Sequence, residues 1–227
     1  MSVFLSGFVG RPTIGRTNFS DNDWATIIMA CQMNAVPDSW NVGDQKAMTI
    51  NGVEYQVNII GKKHDVYSDG TGIAPITFQL RDCYGTDASM STSATTVGGW
   101  GDSAMRNTHL PTILSTMPTE VQAAIREVNK LTGVSSTINV TADKLFLLSQ
   151  VEITNSASSS VVGEGTQYEY YADGHTTVKR KGDTATTWYT RSPLKDNTTS
   201  FCGIDASGAH LGINASYVRG ISFAFCF

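Results

Sequence analysis

The sequence predicts an α+β fold in one domain, residues 21–227, which follows an arm of residues 1–20. Three stretches with the apolar spacing of helices lie before residue 135, whereas most later segments are short runs typical of strands. A chain of 227 residues also has the length of a single domain. We therefore expect helices in the N-terminal half of the domain and antiparallel strands in the C-terminal half.

The composition argues against several classes of function. Charged residues make up only 16% of the chain and the net charge is −4, so no basic stripe for nucleic-acid binding is present. The most apolar run, Ala25 to Cys31, is far shorter than the roughly 20 residues of a membrane-spanning helix. The first residues also lack the basic region of a signal peptide. We expect no nucleic-acid binding, no membrane insertion and no signal-directed export.

Residues 1–20 contain glycines, a proline and little apolar periodicity, which indicates an extended arm. The arm nevertheless carries apolar residues that need a partner, namely Val3, Phe4, Leu5, Phe8 and Val9. We expect the arm to be dispensable for folding and to contact other subunits.

Three segments have helical patterns. The first begins at Ser20 and the residues from Asp21 to Asp23, which supply the N-cap and the first-turn carboxylates, and it is stopped by Pro37. Its apolar positions at helical spacing are Trp24, Ile27, Ile28 and Cys31. The second begins near Asp102 and is predicted to break at Pro111. The third begins at Pro118 with Gly133 as its C-cap. Its apolar stripe is Val121, Ala124, Ile125 and Val128.

The strand pattern opens with a hairpin in which Asn51-Gly52 forms a type I′ turn between residues 48–50 and 53–60. The other predicted strands are residues 76–80, 144–148, 168–171, 188–190, 201–204 and 221–227. Residues 86–99 and 154–166 are small and polar, which predicts two surface loops. We expect the last strand to pair with residues 53–60, with Phe223, Phe225 and Phe227 on one face.

The sequence contains no recognisable catalytic motif. His64-Asp65 could form an acid–base pair, although a structural role is the commoner one. Asp65 and Asp69 could offer oxygen ligands to calcium, but a turn at residues 68–72 is the preferred interpretation. We therefore predict no catalytic residue, no metal and no cofactor.

Four cysteines stand far apart without a Cys-x-x-Cys pair, which argues against a zinc ribbon or a thioredoxin-like site. They are Cys31, Cys83, Cys202 and Cys226. We predict reduced, buried thiols, and a disulfide between Cys202 and Cys226 stays open as an alternative.

The segment after residue 187 combines aromatic rings with charged and short polar side chains, as binding surfaces do. Because neighbours in a strand point to opposite faces, we expect Trp188 to be buried and Tyr189 to be exposed. The predicted ligand-binding residues are Tyr189, Arg191, Lys195, Asp196, Asn197, His210, Asn214 and Tyr217.

Six motifs occur in an order that resembles an uncharacterised domain family of gut bacteria and their bacteriophages. They lie at residues 59–65, 74–83, 98–106, 143–149, 188–193 and 220–225. The closing motifs resemble those of C-type-lectin-like folds, the scaffold of phage receptor-binding proteins and of the variable proteins of diversity-generating retroelements. The usual tryptophan pair of the family is Trp188-Tyr189 here, and its usual Arg-Pro is Ser222-Phe223. The Glu-Pro-Asn and Trp-Asn-Asp calcium triplets are absent, so calcium-dependent sugar binding is not implied.

This resemblance implies a C-type-lectin-like domain of a bacteriophage virion protein from a tail, baseplate or head appendage. It would be assembled in the host cytoplasm and bind a host-surface glycan or protein. The arm would contact other virion proteins, and the chain would form a homo-oligomer. The alternative is a purely structural decoration or connector protein of the virion. Formylglycine-generating enzymes share the broader fold but need a reactive cysteine pair, so the isolated cysteines argue against an enzyme.

Overall fold

The computed structural model describes residues 14–227. The α-helices are α1 (Trp24–Gln32), α2 (Leu110–Leu114), α3 (Thr119–Ala124), α4 (Gln150–Thr154) and α5 (Glu169–Ala172). The strands are β1 (Gln45–Ile50), β2 (Val53–Lys62), β3 (Ile76–Leu80), β4 (Val128–Val134), β5 (Thr137–Asp143), β6 (Leu145–Phe146), β7 (Lys179–Lys181), β8 (Thr184–Thr186), β9 (Trp188–Pro193), β10 (Ser200–Ile204), β11 (His210–Asn214) and β12 (Ala224–Cys226).

The strands form a five-stranded sheet of order β1-β2-β3-β12-β6, a three-stranded sheet of order β11-β10-β9, and the two hairpins β4–β5 and β7–β8. The paired strands are antiparallel. The predicted α+β class is confirmed. The predicted separation into a helical half and a strand half is not confirmed, because α4 and α5 lie late in the chain among the strands.

Helix α1 forms in the predicted segment, with its apolar positions confirmed and with Asp23 as its N-cap. The side chain of Asp23 accepts a hydrogen bond from the backbone N–H of Thr26 at 2.8 Å, which satisfies one of the free donors at a helix N-terminus. All four predicted apolar positions of this helix are buried. The ring of Trp24 lies 5.8 Å from that of Phe78, which in turn lies 5.3 Å from that of Phe225, so the helix joins the aromatic core.

The hairpin of β1 and β2 also forms as predicted, with Ile50 opposite Val53. Asn51 and Gly52 have φ angles of 49° and 75°, as a type I′ turn requires at both central residues. The turn therefore sets the register that places Ile50 and Val57 in the core.

Replacing Gly52 by alanine should lower the free energy of unfolding by about 1 kcal/mol, because an alanine at positive φ brings its Cβ too close to the backbone. A Cβ at this position would meet no neighbouring atom within 4 Å, so the conformation alone sets the loss. Urea unfolding of the variant measures it. The Gly52→Asn variant should lose less, since asparagine tolerates positive φ, and equal losses would contradict this explanation.

Two of the predicted helices differ from the structure. Helix α3 ends at Ala124, and the residues from Val128 to Val134 form β4, with Gly133 opposite Ile138 in the hairpin rather than at a C-cap. The β-branched residues of this segment favour a strand once a partner strand is available. Pro111 does not break the second segment. It lies in the first turn of α2, where a proline needs no N–H donor, after a π-helical turn at Met105–His109.

Residues 168–171, predicted as a strand, lie at the start of α5 instead. Tyr168, Tyr170 and Tyr171 are all buried, so the rings that suggested a strand serve the packing of a short helix. The predicted loops at residues 86–99 and 154–166 are largely irregular, although Thr154 ends α4.

The last strand does not pair with β2 as predicted. Strand β12 lies between β3 and β6, with Phe225 opposite Phe78 of β3 and opposite Leu145 of β6. Strand β3 occupies the free edge of β2 instead. Because β3 is buried along its whole length, the backbone donors and acceptors on both of its edges need partners, which β2 and β12 supply.

Part of the predicted arm contacts the domain. Phe19 is buried, and its ring lies 5.3 Å from that of Trp40 and 6.1 Å from that of Phe78. The backbone N–H of Ile14 donates to Ala35 at 2.9 Å. Residues 1–13, which carry the apolar positions of the arm, lie outside the described residues, and the role of that segment in assembly stays a prediction.

Candidate functional site

An open groove of about 1100 Å³ lies where four irregular segments meet. Its walls are the turn between β9 and β10, the turn between β4 and β5, and the loops at residues 86–99 and 154–166. The lining residues are Thr96, Val97, Gly98, Val134, Ser135, Ser136, Ala157, Ser160, Val161, Val162, Pro193, Leu194, Lys195, Asp196, Asn197 and Thr198.

Backbone hydrogen bonds fix the walls of the groove to one another. The N–H of Thr96 donates to Thr198 at 2.8 Å, and the N–H of Lys195 donates to Ser159 at 2.8 Å. The turn between β9 and β10 is also closed internally, because the side chain of Asn197 accepts from the N–H of Thr199 at 2.8 Å. These bonds join the turn to both long loops, so the groove has a defined shape.

The groove offers hydrogen-bonding and apolar groups together. Val97 and Val162 are 80% and 81% exposed, which makes them apolar lips, while serine and threonine side chains supply hydroxyls between them. Lys195 and Asp196 are exposed and carry opposite charges. Among the described lining residues none is aromatic. This surface can bind a partly apolar ligand with polar groups, and it contains no nucleophile–base pair of the usual catalytic types.

Three of the eight predicted binding residues, Lys195, Asp196 and Asn197, line the groove. The expectation that Tyr189 is exposed is wrong, since its side chain is fully buried beside Trp188. Every residue of β9 is buried, so this strand has no solvent face and the alternation rule does not apply. The hydroxyl of Tyr189 donates to the carbonyl groups of Asn214 and Tyr217 at 2.6 and 2.8 Å, which gives the ring a structural role.

The remaining predicted residues on or after β11 do not line the groove. The Nε2 atom of His210 lies 3.4 Å from Oγ of Ser159, and the side chain of Asn214 accepts from Ser216 within a turn. Tyr217 is 55% exposed, and the Arg219 guanidinium lies 5.6 Å from its ring centroid. The predicted set therefore separates into groove residues, core residues and residues near β11.

Arg191, the last of the predicted residues, belongs to a buried ionic cluster that we define as Asp65, Lys130, Glu152 and Arg191. The Nζ atom of Lys130 lies 2.7 Å from Oδ1 of Asp65 and 2.8 Å from Oε1 of Glu152. Arg191 binds Glu152 with both terminal nitrogens, and its Nη2–Oε1 distance is 2.9 Å. The cluster joins β4, α4, β9 and the loop after β2, with two charges of each sign.

The ionic cluster has neutral partners that satisfy its remaining hydrogen-bonding groups. Tyr168 and Thr77 donate their hydroxyls to Oδ2 of Asp65. Arg191 also donates to the carbonyl oxygens of Leu147 and Leu131 at 2.9 Å each. Charged side chains are stable in a buried core only when they have ionic and hydrogen-bonding partners.

Burial and charge act in opposite directions on the acids of this region. Burial raises the pKa of Glu152, but the Arg191 and Lys130 charges outweigh it and hold that pKa below its usual value. Glu164 has no such direct cation, and burial raises its pKa despite hydrogen bonds from Ser192 and from the N–H of Gly133. Because Glu164 follows the groove residues Ser160 and Val162, these buried contacts also anchor the wall formed by residues 154–166.

His64 and Asp65 do not form a catalytic pair. Asp65 turns inward to Lys130, while the His64 ring stacks on Tyr168 with centroids 3.9 Å apart. Asp69 accepts from the N–H and the hydroxyl of Thr71, as the turn interpretation requires. Within residues 14–227, no group of three or more histidine, cysteine or acidic side chains is arranged to hold a metal ion.

All four cysteines are buried and unpaired, as free thiols, which confirms their predicted burial. Burial raises the pKa of Cys31, Cys83 and Cys202 to about 12 in each case. No helix in the described part of the chain is both long and apolar enough to cross a membrane.

The sequence did not identify the hydroxyl groups and valine lips of the groove. The sequence predicts the two small-residue loops as surface loops and shows their enrichment in serine and threonine. The loops meet at the turn between β9 and β10 through the bonds of Thr96 with Thr198 and of Lys195 with Ser159, and these are contacts between distant parts of the chain.

The fold and the groove define an α+β protein that presents irregular loops on a core held by buried ion pairs. The chain belongs to the family described as Domain of unknown function (DUF6273), whose model matches residues 77–227, more than half of the chain. No curated protein and no solved structure matches the chain.

Proposed function

We propose that this protein is a binding protein whose ligand occupies the groove between the turn after β9 and the two long loops. The finer proposal is a bacteriophage virion protein that displays a C-type-lectin-like domain to a host-surface ligand. The finer part rests on the six ordered motifs that resemble a family of gut bacteria and bacteriophages. The proposal that the protein binds a ligand is supported by the geometry of the groove.

The observation that carries the proposal is the size of this groove together with the hydrogen bonds that join its walls. Its volume of about 1100 Å³ slightly exceeds the range of about 300–1000 Å³ found for ligand sites. Loops that are fixed by a rigid scaffold and expose their side chains are the usual carriers of binding residues. Three residues chosen from sequence alone, Lys195, Asp196 and Asn197, lie in its wall.

The chemistry of the groove favours binding over catalysis. Its exposed groups are valines, hydroxyls and one pair of opposite charges. Glu152, whose pKa is lowered by its cationic partners, and Cys226, whose thiol pKa is raised by burial, lie in the core instead. A ligand with apolar and hydrogen-bonding groups side by side, such as a peptide segment or a substituted glycan, fits this surface.

Introducing charge on both lips of the groove tests the proposal. The double variant Val97→Asp/Val162→Asp should bind host cells at least about tenfold more weakly, which corresponds to about 1.4 kcal/mol. Both side chains are largely exposed, so the melting temperature should stay within a few degrees of the wild type. Binding of labelled protein to host cells, together with thermal melts, measures both effects.

The matched control is Val53→Asp, which charges an exposed valine of the β1–β2 hairpin outside the groove. It should bind as the wild type does. If Val53→Asp and the double variant lost binding equally, the ligand would be bound outside the groove. Wild-type protein that binds no host surface but assembles with purified virion subunits would instead support a decoration or connector protein.

A further inference from the structure

Lys130 lies between two carboxylates in a site that excludes water. Its Nζ atom is 2.7 Å from Oδ1 of Asp65 and 2.8 Å from Oε1 of Glu152, and all three residues are at most 4% exposed. The ring of Phe146 covers the ammonium at 4.2 Å. An amine is thus held against the carboxyl group of one acid while a second acid touches the same nitrogen.

We propose that Lys130 and Asp65 condense to an intramolecular isopeptide bond, with Glu152 as the group that carries the proton. Such a bond would join the loop after β2 to β4 covalently. The proposal is independent of the ligand-binding function, because it concerns the core and not the groove.

The reaction balances without any co-reactant. One proton passes from Nζ of Lys130 to Oδ1 of Asp65, which leaves a neutral amine and a neutral acid. The amine then attacks Cγ of Asp65 and forms the N–C bond, while Glu152 takes the second proton from the nitrogen. Glu152 returns that proton to Oδ1, the bond from Cγ to Oδ1 breaks, and one water leaves. Nothing is oxidised or reduced.

The surroundings of Asp65 favour this path. The hydroxyl of Tyr168 donates to Oδ2 at 2.8 Å, and Thr77 donates to the same oxygen. Negative charge develops on Oδ2 when the amine attacks, and hydrogen-bond donors already aimed at that atom stabilise it. Burial raises the pKa of Asp65, but the Lys130 charge and the hydrogen bonds from Lys130 and Thr77 outweigh it and hold that pKa at about 2, so the neutral pair is the minor form from which the amine attacks.

The charges of the cluster remain balanced after the reaction. Lys130 and Asp65 lose one positive and one negative charge together, and Glu152 keeps its partner Arg191. Condensation therefore removes a buried ion pair, whose desolvation is unfavourable, and leaves no unpaired charge. The other buried lysine differs, since Lys179 donates to the carbonyl oxygens of Leu80 and Arg81 and has no carboxylate at bonding distance in the described residues.

Intact mass spectrometry of the purified full-length protein, denatured before measurement, tests the proposal. The main species should be lighter than the unmodified chain by one water molecule. Protease digestion should yield a branched fragment in which the peptides containing Asp65 and Lys130 are joined. This mapping is needed because succinimide formation at an Asp-Gly pair such as Asp69-Gly70 removes the same mass without joining two peptides.

Two variants complete the test. Lys130→Arg keeps the charge but has no amine that can form the bond, so its mass should equal that of the unmodified chain. Lys179→Arg should retain the deficit and the branched fragment. Wild-type protein with the unmodified mass and no joined fragment would overturn the proposal, and this result does not depend on whether either variant folds.

Discussion

Replacing Arg191 by methionine should lower the free energy of unfolding by about 3–5 kcal/mol, the usual cost of removing one partner from a buried ion pair. Arg191 is fully buried and donates to Glu152, to Thr132 and to three carbonyl groups. Methionine fills much of the space but leaves Glu152 and those oxygens with fewer donors. For a chain of this length the melting temperature should fall by roughly 10 °C, which calorimetry measures.

The control for this prediction is Arg81→Met, which removes an exposed arginine whose distance to Asp82 is 3.6 Å. Its effect should stay below about 1 kcal/mol, as exposed ion pairs contribute little. The double variant Arg191→Met/Glu152→Met should lose less than the sum of the single variants, because no buried charge of that pair is left unpaired. Additive losses, or a small loss in Arg191→Met alone, would show that the pair does not stabilise the core.

The elements that the sequence predicted correctly are those whose conformation depends only on residues close together in the chain. The Asn51-Gly52 turn needs positive φ at two adjacent residues, and few dipeptides adopt it as readily. Helix α1 carries its own N-cap and a complete apolar stripe. In both cases the information lies within a window of some ten residues, and the structure agrees with it.

The structure of the segment after Ala124 cannot be predicted from so short a stretch of sequence. Val121, Ala124, Ile125 and Val128 have helical spacing and are all buried, yet the helix stops before Val128 because β4 pairs with β5 along its whole length. Lys130 in the core could not be foreseen from its residue type, since a buried lysine depends on partners such as Asp65 and Glu152 that lie far away in the chain.

The predicted binding residues also fall into two groups: those that the sequence places correctly and those whose burial depends on tertiary packing. The turn after β9 was predicted to carry Lys195, Asp196 and Asn197, and it does so in the groove. Tyr189 and Arg191 were expected on the same surface because rings and guanidinium groups are common in binding sites. Strand β9, however, is covered on both faces, and coverage of a strand is a property of tertiary packing that its own sequence does not reveal.

Removing the last seven residues should abolish cooperative folding. Every residue from Ile221 to Phe227 is almost completely buried, and β12 separates β3 from β6 in the five-stranded sheet. Its loss would expose the edges of both neighbours and remove three phenylalanines, and burying one such side chain contributes about 1.5–3 kcal/mol. The summed loss approaches the whole stability of a typical domain, about 5–15 kcal/mol. Circular dichroism and calorimetry of the truncated protein measure the outcome.

A graded variant separates the role of the strand from that of chain length. Phe225→Leu keeps the backbone pairing with Phe78 and Leu145 and loses only ring contacts, so it should fold cooperatively with a loss of about 1–2 kcal/mol, since aromatic pairs contribute about 0.5–1.5 kcal/mol beyond their buried area. If the truncated chain instead melts cooperatively near the wild-type temperature, β12 is not required to close the sheet. That result would be incompatible with the structure, because loss of β12 leaves β6 without its partner and β3 with an unpaired edge in the core.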